Sequence, residues 1–110
     1  MISIPIKPLS VNECWQGQRF KTPKYKAYEK HVLLSLPPLK LPSPPLKISF
    51  EFGFSSPLSD WDNPVKPLQD ILQKKYGFND KDIVRAEVDK VKVNKGKEYF
   101  KFKIESANNE

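Results

Sequence analysis

Leu46, Ile48, Phe50, Phe52 and Phe54 recur at every second position. Alternation with period two places such residues on one face of a strand, and this run is the plainest strand in the chain. Ile2, Ile4 and Ile6 repeat the pattern over a shorter N-terminal stretch. Tyr25, Tyr28, Val32 and Leu36 fall instead at helical spacing. They follow Thr22-Pro23, an N-cap residue and a first-turn proline. Val65, Leu68, Ile71 or Leu72, and Lys75 or Tyr76 predict a second helix. Asp62 or Asn63 is expected to cap it, Pro64 to sit in its first turn and Gly77 to end it. Pro67 removes a hydrogen bond early in that helix, where the loss is tolerated.

Two further strands are predicted over 83–93 and 99–104, paired as a hairpin around Asn94-Lys95-Gly96. Phe100, Phe102 and Ile104 share a face, and Val91 and Val93 are expected to match them. Val88 has the other parity, so a bulge is expected near Asp89. Lys92, Lys101 and Lys103 are expected to line the opposite face. Residues 37–45 hold five prolines and read as an extended surface loop. The order strand, helix, strand, helix, strand, strand predicts an α/β (α+β) fold, a mixed sheet with two helices packed on it. A single domain over 1–105, with a polar tail at 106–110, accounts for the whole length.

Composition narrows the function classes. Nineteen Lys and Arg against thirteen Asp and Glu give a net charge of +6, which suits a polyanion such as nucleic acid and also serves plain solubility. No apolar run approaches the ~20 residues that span a bilayer. The N-terminus carries prolines at 5 and 8 and does not read as a signal peptide. Cys14 is the only cysteine and His31 the only histidine, so neither a disulfide nor a zinc site of the usual nitrogen and sulfur ligands is expected. An intracellular protein is the simplest expectation.

The chemistry concentrates in Asp60-Trp61-Asp62-Asn63-Pro64-Val65-Lys66, continuing to Asp70 and Asn79-Asp80. Aspartates two apart on an extended segment project to one side. Lys66 shares a helical face with Asp62 if the helix begins there, and Asp80 follows the helix end. Carboxylate oxygens are the preferred ligands of Mg²⁺, and a lysine beside them can neutralise charge developing on a phosphate. The same residues also fit a surface ion-pair ladder at 62, 66 and 70, with Asp60 and Asn63 as turn and cap residues.

The run DWDNPVKPLQDILQKKYGFND, from Asp60 to Asp80, resembles the signature of the RusA family of Holliday-junction resolvases. That family carries Asp-x-Asp-Asn-x-x-Lys, an Asp four residues later, and a Gly-containing turn before another acid. Pro8-Leu9-Ser10-Val11-Asn12, the basic segment with Thr22 and the helix with Tyr28 extend the resemblance to about Ile4–Ile104. It implies a homodimer that cuts four-way DNA symmetrically with Mg²⁺, Mn²⁺ being a substitute, in a bacterial or phage-encoded cytoplasmic setting. The implied metal ligands are Asp60, Asp62 and Asp80, and the implied essential lysine is Lys66. Asp70 matches a further acidic position, and Asn63 belongs to the motif. Family members often carry paired acids after the turn, where this chain has Asn79-Asp80, so Asp82 remains a rival to Asp80. Arg19, Lys21, Lys24 and Lys26 are the candidate phosphate contacts. Trp15 is a candidate for base stacking, although burial is the stronger expectation for a Trp beside a strand.

Three other readings stay open on sequence: a non-catalytic DNA-binding module, a related metal nuclease acting on flaps or forks, and an interaction protein that uses the proline-rich loop.

Overall fold

The computed structural model describes residues 1–17 and 20–108. Strand β1 (Ile2–Ile4) leads through a short 3-10 turn (Val11–Glu13) to a two-stranded ribbon, β2 (Trp15–Gln16) and β3 (Phe20–Lys21). Helix α1 (Pro23–Ser35), β4 (Leu46–Phe54), α2 (Val65–Tyr76), a 3-10 turn (Asp80–Asp82), β5 (Ile83–Lys92) and β6 (Tyr99–Ser106) follow. The main sheet has the order β1-β6-β4-β5. Only the β4–β5 pair is parallel.

The alternating run of β4 occupies the centre. Phe50 pairs with Phe102 and Phe52 with Phe100, and Ile2 and Ile4 of β1 continue the same two rows. Tyr25, Tyr28 and Val32 of α1 and Leu68, Ile71 and Leu72 of α2 join these phenylalanines in one buried core. Each fully buried side chain of this size contributes about 1.5–3 kcal/mol. Helix α1 begins at the expected Thr22-Pro23 and α2 ends at the expected Gly77, by different means, while Pro64, expected in the first turn of α2, precedes it. Thr22 accepts from the Tyr25 amide at 3.1 Å, as an N-cap does. Gly77 closes α2 with a left-handed φ of 78°, a conformation that costs glycine nothing. The residue at the start of α2 is Pro64, with no side-chain cap, so neither Asp62 nor Asn63 caps it.

Three sequence expectations about the C-terminal strands are corrected. Strands β5 and β6 do not form a hairpin, because β4 lies between them. The β4-α2-β5 crossover makes β5 a parallel neighbour of β4, and β6 fills the other side. The connection between β5 and β6 spans the end of β4, where the Val93 amide donates to the Phe54 carbonyl at 2.8 Å. The irregularity lies at Val84 rather than near Asp89, since Ile83 pairs with Leu46 and Arg85 already with Lys47. Parity then follows. Val88 pairs with Phe50 on the helix-covered face, while Val91 pairs with Gly53 on the open face. Lys92 lies in the Phe54 row, away from Lys101 and Lys103.

The open face is charged and paired. Lys101 meets Glu51 at 3.4 Å, Lys103 meets Glu105 at 3.3 Å, and Lys47 meets Glu87 at 3.0 Å. The proline-rich stretch 37–45 contains no helix or strand, as expected. Strand β6 includes Ser106, so the polar tail begins one residue later than expected. Among the described residues, no helix is long and apolar enough to cross a membrane.

Candidate active site at the start of helix α2

The loop before α2 is held from both sides. The Asn63 carbonyl accepts from the Val11 amide at 2.8 Å, fixing the N-terminal loop against it. The Asn63 side-chain amide donates to Asp60 at 3.3 Å, which orients that carboxylate. Asp62 contributes its carbonyl to a turn with the Val65 amide at 3.1 Å. Its exposed carboxylate makes no hydrogen bond or ion pair among the described residues. The cap role that would have consumed it is absent.

Tertiary folding returns Asp80 to this place. The chain turns back after Gly77, and Asp80 accepts from Gln69 at 2.8 Å and from Lys66 at 3.3 Å. Lys66 also pairs with Asp70 at 2.9 Å. Asp82 does something else: its carboxylate accepts from the Asn79 amide at 3.0 Å and closes the 3-10 turn. The structure thus brings Asp80, and not Asp82, to Lys66. Gln69 was missed in the sequence. Its only signal was spacing, three residues beyond Lys66 on the same helical face.

The electrostatics follow from these partners. The hydrogen bond from Gln69, and then the Lys66 ammonium, hold the Asp80 carboxyl below its ordinary value. Asp70 foremost, with Asp80, pushes Lys66 above the usual lysine value. Lys66 is therefore a cation at neutral pH, available to an anion and unavailable as a base.

The carboxylates suit a hard divalent cation in kind, as oxygen donors exposed to solvent. Among the described residues, no three acidic, His or Cys side chains converge into a ligand cluster. Asp60 is turned to Asn63 and Asp80 to Lys66 and Gln69. A cation binding here would have to draw Asp80 away from the lysine.

Two hollows flank the loop. One of about 250 Å³ lies between Lys7, Ser10 and Glu13 on one side and Asp60 and Asn63 on the other. The other, of about 460 Å³, is a shallow trough between Trp61 and Ala86, Val88 and Lys90 of β5. Trp61 stands between the two aspartates and is 55% exposed.

The basic segment is less open than its composition promises. Lys21 is bound to Glu29 at 3.0 Å and Lys24 to Glu13. Lys26 is exposed with no ion pair among the described residues, and Arg19 lies outside them. Trp15 is not in the core. It sits on the ribbon, 42% exposed and edge-on to Tyr25, and Phe20, which pairs with Gln16, is 72% exposed. The ribbon is separate from the main sheet. Cys14 is buried, and burial first of all pushes its thiol up to about 11, so it is no nucleophile at neutral pH.

Compared with protein-family models and with curated proteins, the chain matches none.

Proposed function

We propose that this chain is a Mg²⁺-dependent endodeoxyribonuclease that resolves four-way DNA junctions, in the manner of the RusA family it resembles. One observation carries the reading: the fold returns Asp80 to Lys66 at the start of α2, the helix that Asp60 and Asp62 precede, and the exposed Asp62 carboxylate makes no hydrogen bond or ion pair among the described residues.

In this reading Asp60, Asp62 and Asp80 would hold the metal, which would supply Lewis-acid chemistry toward a phosphate and a water. Lys66, kept protonated by Asp70, places a positive charge against the phosphate as negative charge builds on it. Asn63 orients Asp60, and Gln69 steadies Asp80. Lys7, which lines the hollow beside Asp60, and Lys26 are exposed cations that can meet backbone phosphates, while Lys21 and Lys24 must first exchange their carboxylate partners. Cutting both strands symmetrically requires two such sites, hence a homodimer.

The same contact also admits a second reading. Lys66 already neutralises two carboxylates, as a purely structural ion cluster would. The chain would then bind DNA without cutting it. The two readings separate on a labelled synthetic four-way junction, with Mg²⁺ and with chelator, beside duplex and flap controls. Paired symmetric nicks that need Mg²⁺ support the resolvase. Cuts confined to flaps or forks would shift the substrate but keep the site. Binding without cleavage in Mg²⁺ and Mn²⁺ alike would reject the catalytic reading.

A further inference from the structure

The Tyr28 side chain is buried, 7% exposed, and its hydroxyl has no hydrogen-bond partner among the described residues. A buried hydroxyl left unpaired costs stability, so such an atom calls for a reason. Burial foremost pushes its pKa up, which keeps the proton on the oxygen at neutral pH. The Leu9 backbone acts on it in the opposite sense, as an amide donor does, so what lacks an acceptor is the hydroxyl proton.

Tyr28 lines a hollow of about 220 Å³ together with Lys7, Leu9, Glu13 and Lys24. A single buried water needs only roughly 10–15 Å³, so the hollow has room for a larger group. Lys24 and Tyr28 are four apart on α1 and share a face. Lys24 is held by Glu13, while Lys7 makes no ion pair among the described residues. This hollow and the one beside Asp60 have Lys7, Pro8 and Glu13 in common, so they form one groove from the loop before α2 to α1. Its walls are tied together. The Val11 amide donates to the Asn63 carbonyl at 2.8 Å, and the Thr22 hydroxyl donates to the Glu13 carbonyl at 2.7 Å.

We propose that this hollow seats a backbone phosphate of the bound DNA strand, away from the phosphate that is cut, with the Tyr28 hydroxyl, Lys7 and Lys24 as its donors. The donor set selects the ligand. A hydroxyl proton and two ammonium groups all seek acceptors, and the Glu13 carboxylate at the hollow is already engaged by Lys24. A phosphate offers several acceptor oxygens and a negative charge, and so meets all three donors at once. An apolar occupant would leave the hydroxyl unpaired. Glu13 holds Lys24 in the free protein and gives it up to the phosphate. The subsite rests on the reading that the chain acts on DNA, but not on its cutting, because binding is measured in chelator.

A labelled four-way junction is titrated in chelator with the full chain and with Tyr28→Phe, and both proteins are melted. The variant removes a hydroxyl that no described residue uses, so it should melt at or above the wild-type temperature. It should nevertheless bind roughly tenfold more weakly. Its charge is unchanged, so the salt dependence of binding should keep its slope. Single phosphates of the junction are then replaced by uncharged methylphosphonates. At one position the wild type should lose roughly tenfold in affinity and Tyr28→Phe clearly less, because the two changes remove the same contact. A variant that binds as wild type does, that melts several degrees lower, or that loses as much as wild type at every position would each overturn the subsite. Inorganic phosphate at constant ionic strength separates the sources. Amide shifts at Leu9 and Tyr28 on adding it, with junction binding indifferent to Tyr28→Phe, would assign the hollow to free phosphate and overturn the backbone assignment. A wild type that binds the junction but does not cut it in Mg²⁺ rejects the nuclease and leaves the Tyr28 comparison standing. A wild type that cuts, with no effect of Tyr28→Phe on binding, rejects the subsite alone, and one that does not bind DNA overturns both.

Discussion

Two groups of acids and cations lie on this small domain, and they differ in how fully their partners are used. On the open face of the sheet, Glu51 accepts from the Tyr99 hydroxyl at 2.6 Å and pairs with Lys101 at 3.4 Å. Its side chain is 24% exposed, and Tyr99 is in turn laid over Gly53, the residue opposite it. At the start of α2, the Lys66 and Asp80 side chains are 55% and 61% exposed, and the Asp62 carboxylate has no partner among the described residues. The same residue types therefore form a closed lattice in one place and an open one in the other. A saturated cluster holds strands together, whereas an unsaturated one can take up a cation or a phosphate.

The contrast is broken most directly by Asp62→Asn. It removes one charge and no side-chain hydrogen bond or ion pair among the described residues, so the fold and junction binding should survive, while cleavage should fall by about 100-fold or more, as losses of a catalytic group do. Single-turnover cleavage beside a binding titration measures both. Lys66→Ala is next. Turnover should drop by about 10- to 100-fold with affinity changed much less, since the ammonium acts as charge builds on the phosphate. A defect confined to affinity would make Lys66 an ordinary phosphate contact.

On the sheet face the expected effects are on stability. A Cβ at Gly53 would run into the Tyr99 ring, so Gly53→Ala should cost about 1–3 kcal/mol in urea unfolding, as overpacking does. Cleavage per folded molecule should be unchanged. Tyr99→Phe should cost less, about 1 kcal/mol near neutral pH, and its effect should depend on pH. Tyr99, then Lys101 against the opposing effect of burial, hold the Glu51 carboxyl below its ordinary value. That contribution is present above the unfolded glutamate value and is lost as pH falls through the lowered one. On the alkaline side, the Glu51 hydrogen bond pushes Tyr99 up to about 12, so its contribution is complete below the ordinary tyrosine value and disappears as pH rises through the raised one. The difference between wild type and Tyr99→Phe should therefore shrink at both extremes. A difference that stays constant from acid to alkali would remove Glu51 from the account.

Much of the architecture was legible in the sequence because it rests on local rules. The period-two run of β4, the Thr22-Pro23 start of α1 and Gly77 at the end of α2 each carry their own signal. The failures have one cause, which is that strand pairing is not local. Asn94-Lys95-Gly96 looks like a hairpin turn, and only the parallel crossover through α2 shows that β4 takes the place between the two strands. Once β5 becomes an edge, Val88 and Val91 need not face the same core, and their conflicting parity no longer calls for a bulge near Asp89. The site divides in the same way. Asp60, Asp62 and Lys66 are close in sequence and could be grouped in advance, whereas the meeting of Asp80 with Lys66 and Gln69 belongs to tertiary folding. The pairing of Lys21 and Lys24 with Glu29 and Glu13 was invisible because those acids lie a turn or more away along the chain.

The most direct test sets the two clusters side by side. Purified wild type, Asp62→Asn and Glu51→Gln are each given a four-way junction with Mg²⁺, and each is melted. The account predicts that wild type cuts, that Asp62→Asn melts like wild type but does not cut, and that Glu51→Gln melts earlier but cuts normally while folded. Cleavage retained by Asp62→Asn, or lost in folded Glu51→Gln, would contradict it.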